Sequence, residues 1–447
     1  MIALVLVPLA GLGVDVGLMY LVQSRLWAAA DAATVAGAGA LSRGADDASQ
    51  RANAEATANS YFHANFPSAY LGTTSLQVTS TAATDATNVR SVTTTASASI
   101  PLIFLRMLHM NTRSIQVTSK AARRDVNIMI VMDRSGSLAI SGSCTPLKAA
   151  AVNFVDKFAD GRDNLGLITF ATSSRVDFAP ATVFKASVES ILNNVTCTGG
   201  TNSAQALWQG YQQLVALNQS GALNAIVFFT DGRPTAVTEN FPILSGSPCQ
   251  SHAAKLGVLT PGYNQNTPGA TLGLYVQTAP HAPPLASDQT VISNRSGCYF
   301  TQNQGWVSYD VANAPTTDSS GNSLTATGYR SVAHNGSGLD VTNPQNVENF
   351  STNAADHAAL RIRRGDPDPS QGHKSLAGVT IYSIGLGGAA AGTTVDDILL
   401  KRMANDPSLT PNPVAAGNQG RYVYAADWQD LDQAFLQVAS EVLRLAK

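Results

Sequence analysis

Four short apolar runs constrain the fold of this chain more than any other feature. They are VNIMIVMD from Val126, NLGLITFA from Asn164, AIVFFTDG from Ala225 and VTIYSIGLG from Val379. Each is near-continuously apolar, without the polar alternation of a half-exposed strand, and so suits a parallel sheet covered on both faces. Helical spacing appears around them. Thr145 can cap and Pro146 can open a helix whose Leu147, Ala150, Phe154 and Phe158 share a face, and Leu431, Phe435, Val438, Val442 and Leu445 do the same near the carboxyl end. Strands alternating with amphipathic helices read as an α/β fold with a doubly wound, Rossmann-like sheet.

In such a sheet, ligands bind outside the carboxyl ends of the strands. The first run ends there in DRSGS, which supplies Asp133, Ser135 and Ser137. Asp231 ends the third run, and CTGGTNS sets Thr201 in a glycine-rich loop just before a helix. Three segments thus aim oxygens at one rim. Two carboxylates and three hydroxyls form a hard oxygen set suited to Mg2+, with Mn2+ or Ca2+ as other divalent candidates. Two negative charges only balance the ion, which leaves it able to take a carboxylate from a partner. Arg134 is expected to border that contact.

Composition narrows the alternatives. The chain has 447 residues, 13% of them charged, and a formal net charge of -2, which offers no basic field for nucleic acid. It contains no H-E-x-x-H and no G-x-S-x-G, so a hydrolase is not expected. A magnesium-dependent phosphatase would need a nucleophile or general base beside the acids, and none stands there in sequence. SIGLGGAA from Ser383 has the glycine spacing of a dinucleotide loop, but it comes late in the sheet and is read as a tight turn.

The apolar stretch from Ile2 to Val22 carries one charge, Asp15, and is read as a single membrane anchor over residues 1–24. Asp15 is expected near the interface and hydrated. Residues 25–122 follow as a small α+β region: an Ala-rich helical stretch, then strands near 75–81, 89–100 and 113–122 around the apolar PLIFLRMLHM. The α/β domain occupies residues 123–235 and 376–447. Between its parts, residues 236–375 form a long inserted lobe rich in Asn, Ser and Gly. Cys249 and Cys298 fall in that lobe and are paired with each other; Cys144 and Cys197 lie in loops on the candidate metal rim and form the second pair. Disulfides place the bulk of the chain in an oxidising compartment. Arg25, after the span, taken alone would place it in the cytoplasm; the cysteines carry more weight.

D-x-S-G-S, G-G-T-N and T-D-G, in that order, resemble the metal-ion-dependent adhesion site of von Willebrand factor A domains. The resemblance implies that Asp133, Ser135, Ser137, Thr201 and Asp231 are the five coordinating positions, some acting through water. GLGVDVGLMYLVQSRLWAAADAATVAGA and the carboxyl-terminal YVYAADWQDLDQAFLQVASEVLRL look like TadG-type proteins of the bacterial Tad (Flp) pilus system. That likeness implies a single-pass inner-membrane protein with its bulk periplasmic and a pilin-like amino-terminal region, linked to pilus biogenesis and adhesion; with no catalytic motif in the sequence, a non-enzymatic protein is expected. Its site would bind a pilus or envelope protein that presents an acidic residue. The alternative is an assembly scaffold whose metal only braces loops.

Overall fold

The computed structural model describes residues 2–41, 47–85, 89–241, 255–261, 272–276, 290–291, 314–341, 343–387 and 395–446. They form two compact units, residues 1–125 with 446–447 and residues 126–445.

In the first unit, helix α1 (Ile2–Ala40) presents a seam of small residues, Ala29, Ala30 and Ala33, to α2 (Asp47–Asn65) and to a three-stranded antiparallel sheet. The strands are β1 (Thr74–Thr84), β2 (Arg90–Pro101) and β3 (Thr112–Arg123). In β2, Val92, Ala96, Ala98 and Ile100 alternate inward, as Thr and Ser interleaved with apolar residues require. Gly37 permits the close helix contact, because a Cβ there would lie 2.9 Å from that of Ala58 and 3.0 Å from the Ala54 carbonyl oxygen. Phe62 and Phe66, with ring centroids 5.9 Å apart, close the core.

Two expectations change in this unit. Asp15 is buried, and its carboxylate accepts backbone N–H groups from Ile103, Phe104 and Leu105 at 2.7–2.9 Å. It fastens the loop after β2 to α1 and is not hydrated. In addition, among the described residues no helix is long and apolar enough to cross a membrane. The apolar stretch of α1 is interrupted by Gly11, Gly13, Asp15 and Gly17 and gives way after Val22 to Gln23, Ser24 and Arg25.

The second unit is built on a six-stranded sheet. Its strands are β4 (Val126–Asp133), β5 (Asn164–Phe170), β6 (Ser174–Ala181), β7 (Leu223–Thr230), β14 (Thr380–Leu386) and β15 (Tyr422–Ala425). They lie in the order β15-β14-β7-β4-β5-β6, parallel except for β6, which returns antiparallel to β5. All four apolar runs of the sequence are central strands buried along their length. Helices cover both faces. Before α4 (Cys144–Val155) comes the short α3 (Gly136–Ile140); α4, α5 (Lys185–Asn194) and α9 (Leu431–Leu445) lie together, with Phe435 between Phe154 and Phe229 at 5.8 Å from each ring. The other face is closed by α6 (Ser203–Leu217), α7 (Pro344–Arg364) and α8 (Asp397–Ala404), whose Leu207, Trp208, Phe350 and Leu400 pack with Val131, Phe228 and Ile381.

The stretch read as an inserted lobe divides differently in space. It contains β8 (Val237–Phe241), β9 (Lys255–Pro261), β10 (Leu272–Val276) and β11 (Thr290–Val291) in one antiparallel sheet, and the two-residue strands β12 (His334–Asn335) and β13 (Gly338–Leu339). Helix α7, however, belongs to the frame: Val347, Phe350, Ala354, Ala358 and Ile362 pack in the same core as α6. Polar residues hide this helix in the sequence because several are buried with partners. Asn353 hydrogen-bonds the backbone of Leu324 and Arg330, and Asp356 pairs with Arg402.

Candidate metal centre

Strand order places the site. The chain leaves β4 toward β5 and β6 on one side, then returns to β7, β14 and β15 on the other. The crevice where a doubly wound sheet binds ligands therefore opens between β4 and β7. Asp133 is the last residue of β4 and Thr230 the last of β7; their neighbours Met132 and Phe229 are paired across the two strands. Thr230 Oγ1 accordingly donates to Asp133 Oδ2 at 2.5 Å, and Asp231 follows on the same rim.

Past Asp133 the backbone turns sharply, with Ser135 N donating to Asp133 Oδ1 at 2.7 Å. This turn brings both serines over β7. Ser137 Oγ donates to Asp231 Oδ1 at 2.7 Å, Ser135 Oγ lies 3.4 Å from the same oxygen, and the two hydroxyls are 3.0 Å apart. Asp133, Ser135 and Asp231 are buried, and Ser137 is half-buried at the mouth. Thr201 reaches the rim through its loop. Thr198 N donates to Arg134 O at 2.7 Å, and Gly136 N donates to Gly199 O at 2.9 Å. Thr201 is buried two residues further on, its N–H donating to Thr235 Oγ1 at 3.0 Å. Four of the five residues expected at the site thus form one hydrogen-bonded cluster, and the loop of the fifth is tied to it through backbone.

Electrostatics sets the character of the cluster. Burial, reinforced by the charge of Asp231, pushes the Asp133 carboxyl up to about 7. Burial also raises Asp231, against the opposing hydrogen bonds of Ser137 and Ser135. Asp231 Oδ2 is buried without a hydrogen-bond partner, a costly state for a carboxylate oxygen unless something charged or donating meets it. The residues fit a hard divalent ion: every donor is oxygen, two are acids, and one acid oxygen is unspent. Among the described residues no group of three or more His, Cys, Asp or Glu gathers to hold a metal, at this rim or away from it, so the candidate site relies on hydroxyls beside its two acids.

One expected role fails. Arg134 is buried, and its Nε lies 3.3 Å from Thr169 Oγ1, so its side chain points into the domain and does not border a partner. Its place in the turn explains this, because Asp133 and Ser135 take the rim-facing positions and the residue between them faces inward. Cys144 and Cys197 are joined, with Cα atoms 6.1 Å apart. The second pairing, Cys249 with Cys298, lies outside the described residues.

Three residues of the site escape sequence reasoning. Thr230 holds Asp133; Thr235 holds Thr201; Thr172 Oγ1 accepts from Gly200 N at 3.0 Å and so orders the loop before Thr201. Thr230 carries a usable signal, since the residue before the acid of T-D-G must face the end of the adjacent parallel strand. Thr172 and Thr235 carry none, because their roles depend on how separate loops meet.

Residues 128–233 match the family model of the von Willebrand factor type A domain, and residues 1–40 match that of Flp pilus-assembly TadE/G-like proteins. A mouse (Mus musculus) protein, calcium-activated chloride channel regulator 3A-1, is 25% identical over 139 residues, which cover 30% of this chain and 15% of that protein. Among solved structures, the PilB minor pilin from Streptococcus sanguinis aligns at 12% identity and a TM-score of 0.39, over 84% of this chain and 79% of its own. The vWF domain of the type V pili tip protein Mfa5 from Porphyromonas gingivalis aligns at 15% identity and a TM-score of 0.39, over 73% and 98%. Along the chain, a segment similar to TadE/G-like proteins at residues 1–40 thus precedes a region at residues 128–233 that matches the von Willebrand factor type A domain.

Proposed function

We propose that this chain is a membrane-associated envelope protein of Flp/Tad pilus assembly or adhesion, and that its rim binds Mg2+ and, through the metal, an acidic side chain of a pilus or envelope partner. Asp133, Ser135, Ser137, Thr201 and Asp231 would hold the ion; Mn2+ or Ca2+ would be accepted by the same oxygens. When bound, the cation supplies positive charge at a site that otherwise holds two crowded acids. The observation that carries this reading is Asp231 Oδ2, buried and unpartnered beside Asp133. The TadE/G-like segment supports membrane association and a periplasmic placement at the inner membrane, and the disulfide agrees with an oxidising compartment.

The alternative, a scaffold whose metal only braces loops, is weakened by what already braces them. The Ser135–Ser137 turn and the Thr198–Thr201 loop are tied by two backbone hydrogen bonds, and Cys144–Cys197 joins the segments that follow and precede them. A metal there is free to serve an outside ligand.

The test has two stages. Purified chain is titrated with Mn2+ and the free ion followed by electron paramagnetic resonance; one bound ion is expected, lost in Asp231→Asn. Pull-down from envelope extract is then run with Mg2+ and with EDTA. Absence of Mn2+ binding at millimolar concentration refutes the metal, and equal recovery of one partner in both buffers refutes the metal-mediated contact.

A further inference from the structure

The apolar loop between β2 and β3 is fastened to α1 by two residues one helical turn apart. Asp15 accepts the N–H groups of Ile103 at 2.8 Å, Phe104 at 2.9 Å and Leu105 at 2.7 Å. Gly11, four residues earlier on the same helix face, leaves the space taken by the Phe104 ring, which any Cβ at that position would strike. A buried acid and a glycine are thus committed to holding one loop in place. That loop presents apolar side chains outward: Met107 is 81% exposed, Ile103 59% and Met110 46%. On the stretch of α1 that carries the fastening, Leu12, Val14 and Val16 are exposed as well.

Water is a poor solvent for this surface, since transferring one such side chain from water is favourable by roughly 1.5–3 kcal/mol. Apart from the buried Asp15, the charges carried by the loop and its flanking strands have one sign. Arg106 and Arg113 are exposed at the loop and its exit, and from Val89 to Arg124 the chain has Arg90, Arg106, Arg113, Lys120, Arg123 and Arg124 and no acidic residue. An apolar tip framed by cations complements the headgroup and upper acyl region of an anionic bilayer. The fastening suits that place too. Near lipid, the N–H groups of residues 103–105 would lack water, and Asp15 supplies their acceptor.

We propose that the loop Leu102–Met110 inserts into the surface of an anionic membrane, with Ile103, Met107 and Met110 at the acyl boundary and Arg106 and Arg113 at the lipid phosphates. The proposal rests on the membrane association given under the proposed function and adds to it a second contact and a depth. Because the loop joins α1 at Gly11 and Asp15, the lipid boundary passes there, and the helix from Val16 onward stands outside.

The test uses the full chain with vesicles of phosphatidylglycerol and phosphatidylcholine, the latter with bromine on the upper acyl chain. Met107→Trp is expected to lose emission in brominated vesicles beyond the loss seen in the parent chain. Val183→Trp, at an exposed position of the other unit, is expected to add no loss. Arg106→Glu combined with Met107→Trp should diminish the quenching. If the chain floats with the vesicles yet Met107→Trp is quenched no more than Val183→Trp, the tip is left for a protein neighbour and the proposal is overturned. If the chain does not float with them, membrane association itself falls and the loop proposal with it, while the Mn2+ titration of the rim is unaffected.

Discussion

Replacing Asp133 with Asn should change how the stability of the metal-free protein responds to pH. In the folded chain the Asp133 carboxyl is pushed up to about 7, first by burial and then by the charge of Asp231; its ordinary value is 3.8. A raised folded-state value means that the native state binds the proton more tightly than the unfolded chain. Stability from this group is therefore greatest at low pH, declines as pH rises above about 4, and levels off above about 7. Within that window one proton is taken up on folding, so the slope is at most about 1.4 kcal/mol per pH unit. Asn keeps the local hydrogen bonding: its carbonyl can accept from Ser135 N, and its amide can donate to Thr230 Oγ1, whose proton has Gly232 O within 3.2 Å. Urea unfolding in EDTA, followed by the fluorescence of buried Trp208, should show the wild type losing stability from pH 4 to pH 7 relative to Asp133→Asn. At pH 7, Mg2+ at a hundred times its dissociation constant should restore about 2.7 kcal/mol to the wild type and none to the variant. Parallel pH profiles for the two proteins in EDTA would refute the reasoning, because they would mean that burial and the neighbouring acid do not raise the Asp133 carboxyl in the folded chain.

Three further outcomes are expected. Cys144→Ser with Cys197→Ser opens a covalent loop of sequence separation 53 and should cost about 4 kcal/mol by loop entropy, read as a lower urea midpoint of the second unit. Phe435→Ala removes the ring lying between Phe154 and Phe229 and should cost about 3–5 kcal/mol in the same assay. Asp356→Ala leaves the buried Arg402 guanidinium without its carboxylate and should cost about 3–5 kcal/mol; Asp356→Ala paired with Arg402→Leu should cost less than the single change, as a double-mutant cycle will report.

The frame and most of the rim were legible because both depend on local pattern. Strands buried on two faces must be apolar along their length, and the residues that end β4 and β7 inherit their position from the sheet, so Asp133, Ser135, Ser137 and Asp231 could be gathered before any coordinates. Arg134 was misread for a geometric reason: adjacency in DRSGS gives no direction, and the turn sends that side chain inward. Asp15 was misread because its partners lie about 90 residues away, as backbone N–H groups in a loop whose own sequence shows only apolarity. Helix α7 was missed because its polar residues are satisfied inside the protein: Asn353 by carbonyls, Asp356 by Arg402, and Arg361 by Asn322 and by the face of Trp208 at 3.8 Å. Composition reports how polar a segment is, and only folding reveals which of its polar groups find one another.

The long return through α7 has a consequence for how this domain accommodates extra chain. Since β14 runs parallel to β7, whatever follows β7 must be carried back to the opposite end of the sheet before β14 begins, and the 21 residues of α7 span that distance at about 1.5 Å each. The stretch between β7 and α7 therefore starts and ends toward the carboxyl edge of the sheet. Extra chain entering there leaves the pairing of β14 with β7 unaltered. At its root, the N–H groups of Thr235 and Ala236 both donate to the Thr201 carbonyl, which ties the start of this stretch to the loop of the candidate site.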